Sequence, residues 1–472
     1  MFAQLFFPVG FALDLAIFSS QNAFLLMSGM ETQCIFDDLA RRDLTPLPNC
    51  SPGYLLSWLK INIHAIYITI YQTGYITALL HLYNQGPHVL PDSHNPILTQ
   101  FCGIPPIDKL LTLAGVMFAN ITDGSALVIS LYAFQFAGQL VSEITIIMVE
   151  SLREGNRGTV FALCVYFCVW NDDISLIKSG LTTSVNSFLP WGVAMQILGY
   201  GFIMPIYCCV HLVSSHTAAA GGKNRAREIT VRKITALATL PVSICIGYII
   251  PSILISLPFR STVTKQWFGG LWQGFPVWIS TCQLLLGILY PKFMFQPQNR
   301  VLHPPTSFST LKNQNKDTRL LSPPQIQQTI LLLQTYNFAL TVSTFCHFLP
   351  LTLTTCNYFL PFLFPPHHHS LLTFPRIFIP PPFWSQRPME TMAMAIHHFL
   401  QYDQYIGSSA AFTWAMTLNT NSREQGTWRE AVKLRIWSLG ISILTGPGGA
   451  VVWLLRERDL RIVFGRDLEH GK

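Results

Sequence analysis

Gln135, Gln139, Glu143 and Glu150 lie in the apolar stretch Phe134 to Gly158, FQFAGQLVSEITIIMVESLREGNRG. At about 100° per residue of helix they share one face, within an arc of roughly 80°. A carboxylate at membrane depth costs about 2.5–3.5 kcal/mol on insertion scales and is rarely left facing lipid. The stripe therefore reads as the wall of a polar cavity inside a helix bundle, suited to cation chemistry. The bland alternative places Glu150 at the membrane surface and makes Glu143 a hydrogen-bond partner for a neighbouring helix.

Two further polar faces accompany it. Lys60, His64, Tyr67, Tyr71 and Tyr75 again fall within roughly 80° of one helix. Aromatic faces attract cations by about 0.5–2 kcal/mol each, although tyrosines also populate the interfacial belt of ordinary membrane helices. After Pro388, the residues Glu390, His397, Gln401, Gln404 and Ser408 share a face, with Gly407 and Trp414 nearby, while Asp403 points elsewhere. For Asp403, a bond to a neighbouring helix and a catalytic role stay equally open. Asp123, between two apolar segments, either caps the acidic helix or reaches into the cavity. Asp108 opens an apolar run and reads as a helix-start residue, and His347 as a histidine satisfied within the bundle.

The elements that must position these groups are transmembrane helices. Of 472 residues, 50% are hydrophobic and 11% charged, whereas soluble domains carry about 25% charged residues; the mean hydropathy is +0.37. Apolar runs near the bilayer-spanning length of about 20 residues lie at Leu5 to Met27, Tyr54 to Leu82, Ser125 to Val149, Pro190 to Val213, Ile234 to Leu257, Trp267 to Leu289, Ile330 to Leu349, Met392 to Leu418 and Leu434 to Leu455. The expected fold is an all-α polytopic bundle of about eight or nine spans, a single integral membrane domain over residues 1–472.

Residues 296–328, rich in Pro, Ser, Asn and Lys, read as a flexible polar loop. The Pro-, Phe- and His-rich tract at 349–388 reads as irregular because of its prolines. A second interruption follows Asn171. His367, His368 and His369 sit side by side on that tract, where adjacent residues do not converge on one ion, so no metal is assigned. Lys and Arg exceed Asp and Glu by 30 to 23. The excess lies in short loops, as cytosolic loops of membrane proteins do; counting single spans places Arg456, Arg458 and Arg461 on the opposite side from those loops, which makes the segment Thr159 to Thr183 a candidate extra crossing. Nucleic-acid binding is a poor reading of charges scattered between spans. The first basic residue is Arg41, so the N-terminal run reads as a first transmembrane helix and not as a cleavable signal. The 11 cysteines contain no CxxC pair and behave as small hydrophobes.

Four ordered stretches resemble a known family. DKLLTLAGVMFANITDGSA at Asp108 to Ala126, QFAGQLVSEITIIMVESLREGNRG at Gln135 to Gly158, FLQYDQYIGSSAAFTWAMTL at Phe399 to Leu418 and GPGGAVVWLLRERD at Gly446 to Asp459 are similar to fungal integral-membrane terpene cyclases of the ascochlorin, ascofuranone and macrophorin type. The resemblance implies cofactor-free, metal-independent cyclisation of a farnesyl chain attached to an aromatic or quinone-like ring. A protonated carboxyl group would activate a terminal epoxide or olefin, and double bonds would quench the cation in sequence. Burial in low dielectric keeps an acid protonated, and a water-poor site delays capture of the cation.

Carried over by motif, the acid candidates are Asp123, Glu150 and Asp403, with Glu143 added from its helix face. Tyr67, Tyr71, His64, Gln135, Gln139 and Trp414 are the candidates for steadying substrate or cation. Arg153 and Asn156 support Glu150 or mark its helix end; an ionised Glu150 paired with Arg153 would be a poor proton donor. The resemblance implies as partners a prenylated aromatic or epoxyprenyl substrate and the lipid bilayer, an epoxidase and a prenyltransferase as neighbours in a pathway, and the endoplasmic reticulum membrane as the location. An aromatic prenyltransferase would need paired Asp-rich motifs, and Asp172-Asp173 has no second partner. A transporter or receptor also explains intramembrane carboxylates, but the chain lacks the internal repeat that transporters commonly show.

Overall fold

The computed structural model describes residues 96–122, 126–156, 188–218, 225–294, 323–382, 391–423 and 428–464. Ten main helices run in chain order: α1 Pro105–Thr122, α2 Leu127–Ser151, α3 Phe188–Leu198, α4 Tyr200–Ser214, α5 Ile234–Ser256, α6 Thr262–Gln273, α7 Phe275–Met294, α8 Pro323–Phe359, α9 Met392–Asn421 and α10 Trp428–Phe464. Among the described residues the fold is all-helical, with one isolated bridge between Arg153 and Val231. Four helices, α2, α5, α8 and α10, are long and apolar enough to cross a membrane.

The centre of the bundle is α2. From Val141 to Ser151 every side chain is buried, so this part of the helix is enclosed on all sides, its polar stripe included. It packs against α8, α10 and α9, while α4 lies along α9. Core side chains from these helices, Ile146, Met204, Tyr336, Ala411, Trp414 and Leu455, form one continuous apolar cluster.

Two helices are broken where the sequence carries glycine. The apolar run from Pro190 to Val213 is not one span: it divides at Gly199, with φ +94°, into α3 and α4. Within α10, Gly446 has φ +78° and ψ 169°, followed by Pro447. Both conformations are closed to most L-residues. A further departure from a regular helix is the single π turn Cys245–Ile249 inside α5.

The tract that the prolines mark as irregular is more ordered than its composition implies. Helix α8 continues through Pro350 to Phe359, and three short turns follow at Pro361–Leu363, Pro366–His369 and Phe374–Phe378. The tract is held from outside. Asn357 donates to the carbonyls of His369 and Leu372 at 3.0 and 2.9 Å, and His397 and Gln401 both reach the Ile377 carbonyl, at 2.9 and 2.8 Å. His369 bonds the carbonyls of Pro361 and Phe364 at 2.9 and 3.0 Å. Asp108 accepts from the amides of Phe101, Cys102 and Gly103, tying the approach to α1; the Cys102 amide foremost holds its carboxyl below the ordinary aspartate range.

Candidate active site

Two carboxyls on α2 occupy contrasting surroundings. Glu150 is fully buried and saturated with donors. Arg458 Nη2 donates to its Oε1 at 2.6 Å, Arg153 Nε lies 3.4 Å from the same oxygen, and Thr217 Oγ1 donates to Oε2 at 3.0 Å. His211 Nε2 stands 3.4 Å from Oε2. Trp414 Nε1 donates to His211 Nδ1 at 3.1 Å. An indole nitrogen only donates, so Nδ1 is the acceptor and the ring proton sits on Nε2, facing Glu150.

The network extends further from the carboxylate. Arg153 Nη2 reaches Asp459 Oδ2 at 2.5 Å and the Tyr336 hydroxyl at 3.0 Å, and Tyr336 donates to Asp459 at 2.7 Å. Arg458 Nε donates to Asp459 Oδ1 at 3.0 Å. Two arginines thus face two carboxylates. Local backbone pairing fixes the Arg153 position, since Glu154 donates to Thr230 and Arg232 to Leu152 at 2.8 and 3.0 Å. Asn156 Nδ2 donates to the Glu150 carbonyl at 2.8 Å and accepts from Ser215, closing the end of α2.

Glu143, two turns earlier, is buried at 2% exposure, and neither of its oxygens has a hydrogen-bond partner at ordinary length among the described residues. The Tyr200 phenol faces it as a long hydrogen-bonding partner, and the Tyr200 ring packs on Phe136 with centroids 5.8 Å apart. Tyr207, one further heptad along α4, lies in reach of both Glu143 and Glu150. It stands edge-on to Trp191 and Trp414 at 5.2 and 6.1 Å. An aromatic wall therefore bridges Glu143 and the ion cluster.

Asp403 sits on the opposite face of α9 from His397 and Gln401. Its two oxygens accept from the amides of Tyr200 and Gly201 at 3.2 and 2.7 Å. It caps the first turn of α4 across the Gly199 break, and Tyr200 is the first residue of the capped helix.

The amide half of the stripe bonds neighbouring helices. Gln139 donates to the Ser343 carbonyl at 2.9 Å and accepts from the Gly448 amide at 2.9 Å, filling the gap left by the kink at Gly446. Gln135 meets His347 Nδ1 at 3.4 Å, and His347 Nε2 bonds the Ile443 carbonyl at 3.1 Å. The stripe is thus divided: its amides join α2 to α8 and α10, and its carboxyls face α4 and the end of α10. His64, Tyr67, Tyr71, Asp123 and Glu390 lie outside the described residues.

Sequence reasoning missed Arg458, Asp459, Tyr336, His211, Tyr200 and Tyr207. Span counting places Arg458 beyond the end of an apolar run, among the charges that set orientation, yet it is wholly buried. The signal was present in RERD, where an Arg-Asp pair follows directly on an apolar helix, but a charge at the end of a span looks the same whether it snorkels or pairs inward.

Among the described residues the bundle is all-helical, with four helices long and apolar enough to cross a membrane and carboxyl groups buried between its helices, as in a membrane protein. The CtvD domain matches residues 53–172 and 178–463. Curated relatives include terpene cyclase ascI of Acremonium egyptiacum, 25% identical over 390 residues, covering 81% of this chain and 85% of that protein. Terpene cyclase penA of Penicillium crustosum is 23% identical over 418 residues, 86% and 95% of the two chains. Terpene cyclase ctvD of Aspergillus terreus is 22% identical over 422 residues, 87% and 99%. No solved structure matches the chain. The chain belongs to the CtvD-domain family of fungal terpene cyclases.

Proposed function

We propose that the protein is a multi-pass cyclase of the endoplasmic reticulum membrane, with eight or nine spans, in which Glu143 protonates the terminal epoxide or olefin of a farnesylated aromatic substrate. The observation that carries this reading is the buried Glu143 carboxyl with no hydrogen-bond partner of ordinary length among the described residues. Among the described residues no cation stands against it, so the neutral acid is the form that costs least to bury. Proton transfer to an epoxide oxygen breaks its carbon–oxygen bond and leaves a tertiary cation. Neighbouring double bonds then attack in turn, each forming a carbon–carbon bond, until a proton is lost. The product is an isomer of the substrate, and no metal or cofactor enters the balance.

Tyr200, Tyr207, Trp191 and Trp414 supply electron-rich faces along the cation's path. The sequence also assigns His64, Tyr67, Tyr71 and Asp123 to the same cavity. Glu150, held by two arginines, a threonine and a histidine, serves to order this end of the site and not to donate a proton. An epoxidase and a prenyltransferase would supply the substrate, which the bilayer would deliver.

Microsomes from a heterologous fungal host, given an epoxyfarnesyl phenol without added metal, test the proposal. A cyclised product of unchanged mass is expected, and Glu143→Gln should lower its formation by about 10²–10⁴-fold, the usual contribution of a positioned acid. Full turnover by Glu143→Gln removes the assignment. Absence of product from any prenylated acceptor, together with solute uptake into vesicles, would favour a transporter.

A further inference from the structure

Around Glu150 the charges balance but the hydrogen-bond donors do not. Arg153 and Arg458 face Glu150 and Asp459, and His211 is neutral because its Nδ1 accepts from Trp414. Arg458 is fully buried, with Nε on Asp459 and Nη2 shared between Glu150 and Asp459. Its Nη1 has no acceptor among the described residues. A guanidinium carries five N–H groups in a fixed fork, and leaving such a charged donor buried and unmatched is costly. The same Arg458 is in electrostatic contact with Tyr207, which also reaches Glu143.

We propose that Arg458 is a substrate-binding residue, whose Nη1 donates to a neutral oxygen, a carbonyl or phenol, on the aromatic head of the prenylated substrate. This deepens the cyclase reading and rests on it. The neutral character of the oxygen follows from the charge balance. A carboxylate or diphosphate would bring uncompensated negative charge into a buried cluster whose four formal charges already cancel. Glu143 and Glu150 are seven residues apart, about 10.5 Å of helix rise. That separation is shorter than an extended farnesyl chain. A substrate with its head at Arg458 and its tail at Glu143 is therefore held coiled, the shape that ring closure requires.

The test compares two ligands on detergent-purified protein: a farnesylated hydroxybenzaldehyde and a farnesylated benzene without ring oxygens. The wild type should bind the first about 10- to 100-fold more tightly, as one hydrogen bond to a charged donor allows. Arg458→Lys keeps a cation for Glu150 but has no fork, and it should lose most of that preference while holding the oxygen-free ligand within about twofold. Equal binding of both ligands by the wild type, or full preference retained by the lysine variant, overturns the proposal.

If the lysine variant does not fold, a farnesylated benzophenone photolabel on the wild type decides. Its ketone should direct labelling to the segment 454–461, and labelling confined to other segments overturns the assignment. Both readouts are independent of turnover. A protein that binds and labels as expected but never cyclises the epoxidised ligand would refute the cyclase reading and leave the Arg458 assignment standing.

Discussion

Replacing Asp403 by asparagine separates a cap from an acid. The carboxylate accepts two backbone N–H groups, at 3.2 and 2.7 Å, and hydrogen bonds to charged groups contribute about 1.5–3 kcal/mol each. Asparagine keeps one acceptor oxygen, so the expected loss is about 1.5–3 kcal/mol; alanine keeps none, and the loss rises to about 3–6 kcal/mol. These are upper values, because a helix unfolded within a bilayer finds other partners. Gly199→Ala attacks the same joint without altering a titratable group. Its backbone, at φ +94° and ψ 150°, costs an alanine about 1–3 kcal/mol, and the new Cβ would stand 2.8 Å from Asp403 Oδ1. Both variants disturb Tyr200, so each should lower the unfolding temperature in detergent and release more prematurely quenched product. The double variant should fall short of the sum, as shared contacts do. An Asp403→Asn protein that unfolds at the wild-type temperature yet makes no product would identify an acid and refute the cap.

Three further outcomes follow from the same contacts. Glu150→Gln leaves two buried arginines facing one carboxylate, and breaking such a buried pair costs about 3–5 kcal/mol; thermal unfolding should show a large loss even where substrate is absent. Gly446→Ala should destabilise by about 1–3 kcal/mol from its φ of +78°, and more through the clash of the added Cβ with Gln139 Oε1; the same unfolding assay checks it. Turnover in microsomes should be unchanged by a chelator of divalent cations, and its abolition with restoration by magnesium would contradict acid-initiated cyclisation.

The depth of each polar residue was legible in the sequence, while its partner was not. Period and composition place Gln135, Gln139, Glu143 and Glu150 on one face of α2, and they do lie there, all buried. But the face of a central helix looks onto several neighbours. Gln139 meets the kink of α10 some 300 residues away in sequence, and Glu150 meets Arg458; nothing local to α2 encodes either meeting. Breaks were hidden for a related reason. Gly199 lies within an apolar run that hydropathy reads as continuous, and only the arrival of Asp403 from α9 shows where the new helix begins. Proline misled in the opposite direction at Pro350: the helix there persists to Phe359, and the turns beyond it are anchored by side chains of α8 and α9.

What distinguishes the two α2 carboxyls is environment, since residue type and helix are the same. An ionised carboxylate at this depth requires cations, and Glu150 has two arginines within 3.4 Å. Those arginines in turn require Asp459, which explains why a charged pair follows the apolar stretch of α10. A carboxyl that gives up a proton must lack such company until substrate arrives, and Glu143, the proposed acid, has no cation against it among the described residues. Sites that divide acid and anion between neighbouring carboxyls do so by unequal surroundings. Here α4 provides the inequality: Tyr200 at its first residue meets Glu143, and His211 near its last turn meets Glu150. Moving the start of α4 would therefore alter the surroundings of Glu143, the proposed acid, whereas moving its end would alter those of Glu150, and the Asp403 cap acts on the first of these.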